Sequence, residues 1–283
     1  MIQRRMVATS TLAVDGIKSE LWESGPHDRD SAVVFVHGNP GPKDDWAPLI
    51  ARLSPQIRAV APDMPGYGHA DRPKKWPYTV ESYAVYLGGL LDQLGVQRAH
   101  LVLHDFGGPW GLQWAAEHKD RVGSLTLINT GVLLGYTWHK YARIWQTPVL
   151  GELFQLLATK WALRAATDKD NGRPLPREFY DRVYPTLDWG QKRAVLRLYR
   201  NTKDIAGASK ELAARLQGLD VPVLVVWGDG DPYLPARFAD VQREVFPQAD
   251  VHHLDNLGHW PFVESPERVG EVVVPFLERV ATR

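Results

Sequence analysis

Three side chains in this sequence have the types that nucleophilic catalysis requires, in the order nucleophile, acid, base: Asp105, Asp231 and His259. Asp105 stands at the centre of Leu103-His104-Asp105-Phe106-Gly107-Gly108. The run Ala99 to Leu103 before it is short and apolar, fit for a buried strand. Pro109 to His118 after it reads as a helix with Pro109 in its first turn. Strand, sharp turn and helix form the setting that lifts a nucleophile clear of the backbone. Such a turn strains the residue at its tip, and Gly107 and Gly108 remove the side chains that would keep strand and helix apart. A carboxylate attacks esters poorly because its anhydride-like product gains nothing. An aspartate here therefore points to attack on saturated carbon and an ester intermediate, and the lack of serine at the turn argues against acyl transfer through serine.

Hydrolysing that ester takes a base, an acid to orient it and donors for the oxyanion. After the last expected strand, Trp227-Gly228-Asp229-Gly230-Asp231 offers two aspartates; Asp231 is the expected partner and Asp229 a turn-former. The base is expected at His259, in the loop Asn256-Leu257-Gly258-His259-Trp260-Pro261, set apart from His252 and His253. His37-Gly38-Asn39-Pro40 follows the first strong strand, and the backbone N–H groups of Asn39 and Phe106 are the expected oxyanion hole. His104 is expected to support the turn or contact the pocket. No pair of histidines has metal-ligand spacing, so neither a metal nor another cofactor is expected.

The elements that must hold these groups follow from apolar runs at Ala32 to Val36, Ile57 to Ala61, Ala99 to Leu103, Ser124 to Ile128 and Val221 to Trp227. Most alternate with helix-length segments, which predicts a mostly parallel sheet with helices on both faces. From Leu134 to about Leu219 the pattern turns helical, with breaks at Pro148 and at Asn171-Gly172-Arg173-Pro174-Leu175-Pro176. The expected organisation is a core over residues 1–134 and 219–283 with an all-helical cap over 135–218. The cap is rich in tyrosine and tryptophan, which suits an aromatic lid on an apolar pocket.

At 283 residues with 44% hydrophobic side chains, the chain can fill one large core. Lys+Arg and Asp+Glu both number 33, so no overall field favours nucleic acid or an anionic membrane, and a small apolar or aromatic-bearing substrate is expected. The absence of cysteine excludes disulfides, thiolate ligands and a cysteine nucleophile. Met1 to Ser10 is basic but leads into no apolar stretch, and no run approaches a membrane span; a cytoplasmic monomer or homodimer is expected.

Taken together, these motifs resemble the aspartate-nucleophile branch of the α/β-hydrolase superfamily, which includes epoxide hydrolases and haloalkane dehalogenases. The likeness covers nearly the whole chain and rests on His37-Gly38-Asn39-Pro40, Pro62-Asp63-Met64-Pro65-Gly66-Tyr67-Gly68, the turn at Asp105, Asp231 and Gly258-His259-Trp260. Leu103 departs from it, because a smaller residue is usual two positions before the nucleophile. The resemblance implies an α/β-hydrolase fold with a pocket that includes His37, Pro40, His104, Trp138, Trp145 and Trp260. Dehalogenases resemble one another in carrying tryptophan after the nucleophile, whose indole binds halide; this chain has Phe106, although Asn39 matches a second halide donor. Epoxide hydrolases use two cap tyrosines to assist the leaving oxygen. Tyr199 in Tyr199-Arg200-Asn201, and Tyr141 four residues before Trp145-Gln146-Thr147-Pro148, resemble that pair, with Tyr136, Tyr180 and Tyr184 as substitutes. The implied activity is epoxide hydrolysis to a vicinal diol, with haloalkane dehalogenation and a non-catalytic ligand-binding member of the fold as alternatives.

Overall fold

Along the central strands, successive apolar side chains fall on opposite sides of one sheet. Val34, Val36, Leu101 and Leu103 join one buried cluster, whereas Val33, Phe35 and Val102 join another. Both faces are therefore covered, as a parallel sheet requires. The computed structural model describes residues 7–171 and 174–282. The strands are β1 (Ala8–Val14), β2 (Ile17–Ser24), β3 (Ser31–Val36), β4 (Ala59–Pro62), β5 (Arg98–His104), β6 (Val122–Ile128), β7 (Val223–Gly228) and β8 (Asp250–Leu254). The helices of the first half are α1 (Ala47–Ile50), α2 (Val80–Gln93), α3 (Gly107–Glu117), α4 (Lys140–Gln146), α5 (Leu150–Leu156) and α6 (Lys160–Asp170). Those of the second half are α7 (Arg177–Thr186), α8 (Trp189–Asn201), α9 (Ile205–Leu216), α10 (Arg237–Val245), α11 (Pro261–Glu264) and α12 (Pro266–Ala281).

The sheet order is β1-β2-β4-β3-β5-β6-β7-β8. From β4 to β8 in that order all neighbours are parallel, and only the β1–β2 and β2–β4 pairs are antiparallel. Residues of α2 and α3 fill one cluster, and those of α1, α11 and α12 the other. Three strands lie outside the expected set: β1, β2 and β8. The first two form a hairpin whose two-residue turn, Asp15-Gly16, has φ of 49° and 78°, the twist that suits a tight hairpin. The strand expected from Ile57 begins instead at Ala59, because Ile57 closes a turn by donating its N–H to Ser54 O.

Between β6 and β7 the described residues hold α4 to α9 and no strand. Within the expected break at 171–176, Asn171 is the C-cap of α6 and Pro176 the N-cap of α7; Gly172 and Arg173 lie outside the described residues. Side chains fasten this helical segment to the core. Arg182 Nη2 lies 2.9 Å from Asp45, Arg72 reaches Thr186 O at 3.1 Å, and Arg197 Nη1 donates to Lys74 O at 2.5 Å. No helix among the described residues is long and apolar enough to cross a membrane.

Candidate active site

β5 ends at His104 and the chain turns at once into α3, which begins at Gly107. At the turn Asp105 takes φ of 49°, in the left-handed region that costs an L-residue about 1–2 kcal/mol. Two donors hold it there: Thr130 Oγ1 at 2.6 Å and the Gly108 N–H at 3.0 Å, both on Asp105 O. A Cβ on Gly107 would stand 2.2 Å from Val36 O, and one on Gly108 1.9 Å from Thr130 Oγ1. The partner of Gly107 is backbone of a central strand and cannot step aside. Gly107→Ala should therefore destabilise the protein by about 1–3 kcal/mol or more, read as a lower denaturation midpoint at unchanged m-value. The bulk of Leu103 is accommodated from the helix side, because a Cβ on Gly111 of α3 would lie 2.4 Å from Leu103 Cδ2.

The Asp105 carboxylate is split between two functions. Oδ1 accepts the Asn39 N–H at 2.6 Å, and Oδ2 lies 3.4 Å from His259 Nε2. A Cβ on Gly38 would stand 2.3 Å from Asp105 Oδ1 and 2.6 Å from the Phe106 amide nitrogen, so only glycine lets the loop carrying Asn39 approach the turn this closely. His259 Nδ1 lies 2.6 Å from Asp231 Oδ2. Asp231 is itself fixed by Asn129 Nδ2 at 2.8 Å and by the N–H groups of Tyr233 and Leu234 at 2.7 and 2.9 Å. Asp229 points elsewhere, to His253 Nδ1 at 2.6 Å. The three expected residues thus converge on one carboxylate–imidazole–carboxylate line at the C-terminal ends of β5, β7 and β8, where open parallel sheets bind ligands.

Electrostatics follow from this enclosure. Burial disfavours an imidazolium, but Asp231 and Asp105 on either side outweigh it and lift the His259 pKa to about 10. Burial would likewise raise Asp105, yet His259 holds its carboxyl below the ordinary range. The resting site is an ion pair. Burial and the neighbouring His259 charge push His104 down to about 3, so it stays neutral and its Nε2–H donates to His259 O at 2.7 Å.

A cavity of about 360 Å³ opens on Asp105 between the sheet edge and the helical segment. Asn39, Pro40, Tyr141, Trp145, Tyr199 and Trp260 all line it. Three expected pocket residues do not. His37 is turned into the loop network, accepting the Met64 N–H on Nε2 and donating from Nδ1 to Gly38 O. His104 lies behind the base, and Trp138 packs against both Phe106 and Tyr199 with its Nε1 donating to Thr202 O at 2.8 Å. Tyr141 reaches the cavity, but its phenol donates to Asp170 Oδ2 at 2.5 Å. Tyr199 is fully enclosed, and burial beside the Asp105 charge raises its pKa well above the ordinary phenol value, so it keeps its proton.

Other contributors escape a reading of the sequence. His139 and Tyr233 line the cavity, Asn129 and Thr130 brace Asp231 and Asp105, and Asn171 Oδ1 accepts the His259 N–H at 2.9 Å. Asn129-Thr130 had a usable signal: two polar residues directly after a buried strand. Outside the site, Glu20, Asp63 and His69 cluster with metal-like spacing, and Lys43 Nζ, 2.6 Å from Glu20, supplies positive charge there.

Residues 31–266 match the family described by the alpha/beta hydrolase fold, and the chain belongs to it. Among curated relatives, a cis-3-alkyl-4-alkyloxetan-2-one decarboxylase of Xanthomonas campestris pv. campestris is 28% identical, over 93% of either chain. Among solved structures, a haloalkane dehalogenase of Bradyrhizobium elkani superposes with TM-score 0.84 at 24% identity, covering 98% of this chain and 99% of its own. An epoxide hydrolase superposes with TM-score 0.81 at 18% identity, covering 97% and 99%.

Proposed function

We propose that this protein hydrolyses epoxides to vicinal diols through an ester on Asp105, acting on a small apolar or aromatic-bearing substrate and needing no cofactor. The observation that carries the reading is the division of the Asp105 carboxylate. Oδ1 is tied to the Asn39 N–H, which leaves Oδ2 to attack along the apolar cavity, while Phe106 lacks the indole N–H that a departing halide would use. The test is a panel of epoxides analysed for diols. Diol formation dependent on Asp105 supports the reading, and a panel that yields none overturns it.

The proton inventory closes on these residues. Oδ2 attacks a ring carbon, the carbon–oxygen bond breaks, and the alkoxide forms beside the Tyr199 phenol. Esterification removes the Asp105 charge, one of the two that hold the His259 imidazolium. His259 then gives up one proton, which balances the one the alkoxide takes. The neutral ring next draws a proton from water as that water adds to the ester carbonyl, with the oxyanion on the Asn39 and Phe106 N–H groups. Collapse expels the diol and restores the ion pair; the sum is epoxide plus water.

A pH dependence follows, with its sign set by His259. Ester hydrolysis needs the neutral ring, whose pKa in the ester state lies below the value of about 10 in the free protein. As pH falls through that ester-state pKa, hydrolysis slows about tenfold per unit. Asp105, held low, stays ionised and continues to react. Single turnovers at pH 5 should accumulate ester that is absent at pH 8, and equal ester at both would contradict the scheme.

A second reading has one observation in its favour. With the Tyr141 proton engaged by Asp170, the same attack suits a leaving group that needs little protonation, such as halide or the carboxylate freed from a four-membered lactone like that acted on by the Xanthomonas relative. Adding bromoalkanes and oxetan-2-ones to the panel separates the two.

A further inference from the structure

We infer that His139 is a catalytic residue of this site: its Nε2–H, together with the Tyr199 phenol, meets the oxygen that leaves the epoxide carbon, in the role that the resemblance to epoxide hydrolases implies for Tyr141. The inference rests on the epoxide reading and deepens it.

The argument begins at the start of α4. His139 is the N-cap of that helix, with extended backbone (φ −64°, ψ 167°), and its Nδ1 accepts the Ala142 N–H at 3.3 Å. An imidazole nitrogen that accepts a hydrogen bond carries a lone pair, so the proton of the neutral ring must be on Nε2. The ring lines the cavity on Asp105, and its centroid lies 5.0 Å from that of Tyr233 and 6.2 Å from those of Tyr199 and Trp145. Among the described residues Nε2 has no hydrogen-bond partner. The helix cap therefore fixes which nitrogen is protonated and leaves that N–H unpaired inside an apolar pocket.

Two further facts strengthen this. Burial lowers the His139 pKa to about 4 despite the pull of Asp105, so the ring is neutral over the working pH range and acts as a donor without competing as a second cation. Tyr141, two residues further on, is drawn off by Asp170, whose other oxygen is held by Lys140 Nζ at 2.9 Å. His139 needs no such release. During ring opening the Asp105 Oδ2–carbon bond forms and the carbon–oxygen bond breaks. Nε2–H and the Tyr199 O–H both donate to the nascent alkoxide, which takes its proton through Tyr199 as His259 discharges its own. His139 starts and ends neutral.

The test is single-turnover kinetics of wild type and His139→Asn with styrene oxide and with phenethyl bromide, separating ester formation from ester hydrolysis. Asparagine retains an N-cap acceptor, so α4 stays capped while the ring N–H is lost. We expect ester formation from the epoxide to slow about 100-fold, as when one oxyanion donor is removed. Ester hydrolysis and the melting temperature should hardly change, and alkylation by the bromide should fall much less than alkylation by the epoxide. Equal slowing of both chemical steps with a lower melting temperature would mean a structural role and overturn the inference. Unchanged ester formation would overturn it too. If wild type forms no ester from styrene oxide or any other epoxide, the functional reading itself fails and takes this inference with it. An independent check is the ¹⁵N spectrum of histidine-labelled wild type: a proton on Nδ1 of His139 rather than Nε2 would rule the donor out.

Discussion

Replacing His259 by glutamine should convert the protein into a trap for its own intermediate. Asp105 keeps its contact with the Asn39 N–H at 2.6 Å and still faces the cavity, so alkylation continues, slowed because solvent must replace His259 as the source of the alkoxide's proton, while the base that would activate water is gone. Loss of a triad base typically costs on the order of 10⁶ in turnover. Intact mass after exposure to an epoxide should rise by the whole epoxide, and the adduct should map to Asp105. After exposure to a bromoalkane, a gain of the alkyl group with release of bromide would identify a dehalogenase instead. No adduct from either class would remove Asp105 from the nucleophile's role.

Replacing Asp105 by asparagine should be equally severe by the opposite route, with turnover down on the order of 10⁶ and no adduct at any time. The amide has no charge to share in the ion pair with His259, so the imidazole loses one of the two carboxylates that raise its pKa. Titration of His259 should accordingly shift to lower pH in this variant, read beside an unchanged circular dichroism spectrum, because unfolding would lower it too. Undiminished turnover would overturn the mechanism, and an unmoved His259 titration would overturn the ion pair.

The central part of this site was legible because its chemistry is tied to strand ends. Asp105, Asp231 and His259 each follow an apolar or turn-bounded segment, and a parallel sheet gathers such ends along one edge whatever the loop lengths. The outer antiparallel strands were harder to see. β1 exposes much of its surface and lacks an apolar run, so the Asp15-Gly16 turn was the available signal. The cap was legible as helical but not in its side-chain roles. Tyr141 matches a motif by spacing, yet its proton goes to Asp170, a residue 29 positions away that no local pattern connects to it. His139 shows the converse, since it belongs to no expected motif and gains its significance from the tautomer that a helix cap imposes. Motif spacing reports where a side chain is attached, and hydrogen bonding decides what it can donate.

Leu103 and Gly111 occupy what is effectively a single volume, one on a strand and the other eight residues along on the helix that crosses it. The turn at Asp105 is therefore not a module that ends at its glycines. A relative with a small residue at the strand position is free to carry a larger one on the helix, and an exchange of turns between the two must move both positions or lose the fit. Shortening Leu103 alone opens a void beneath the nucleophile, whereas enlarging Gly111 alone drives the helix off the strand; made together, the changes exchange material across the same boundary. The two positions therefore behave as one packing unit, and a substitution at either has to be judged together with the other.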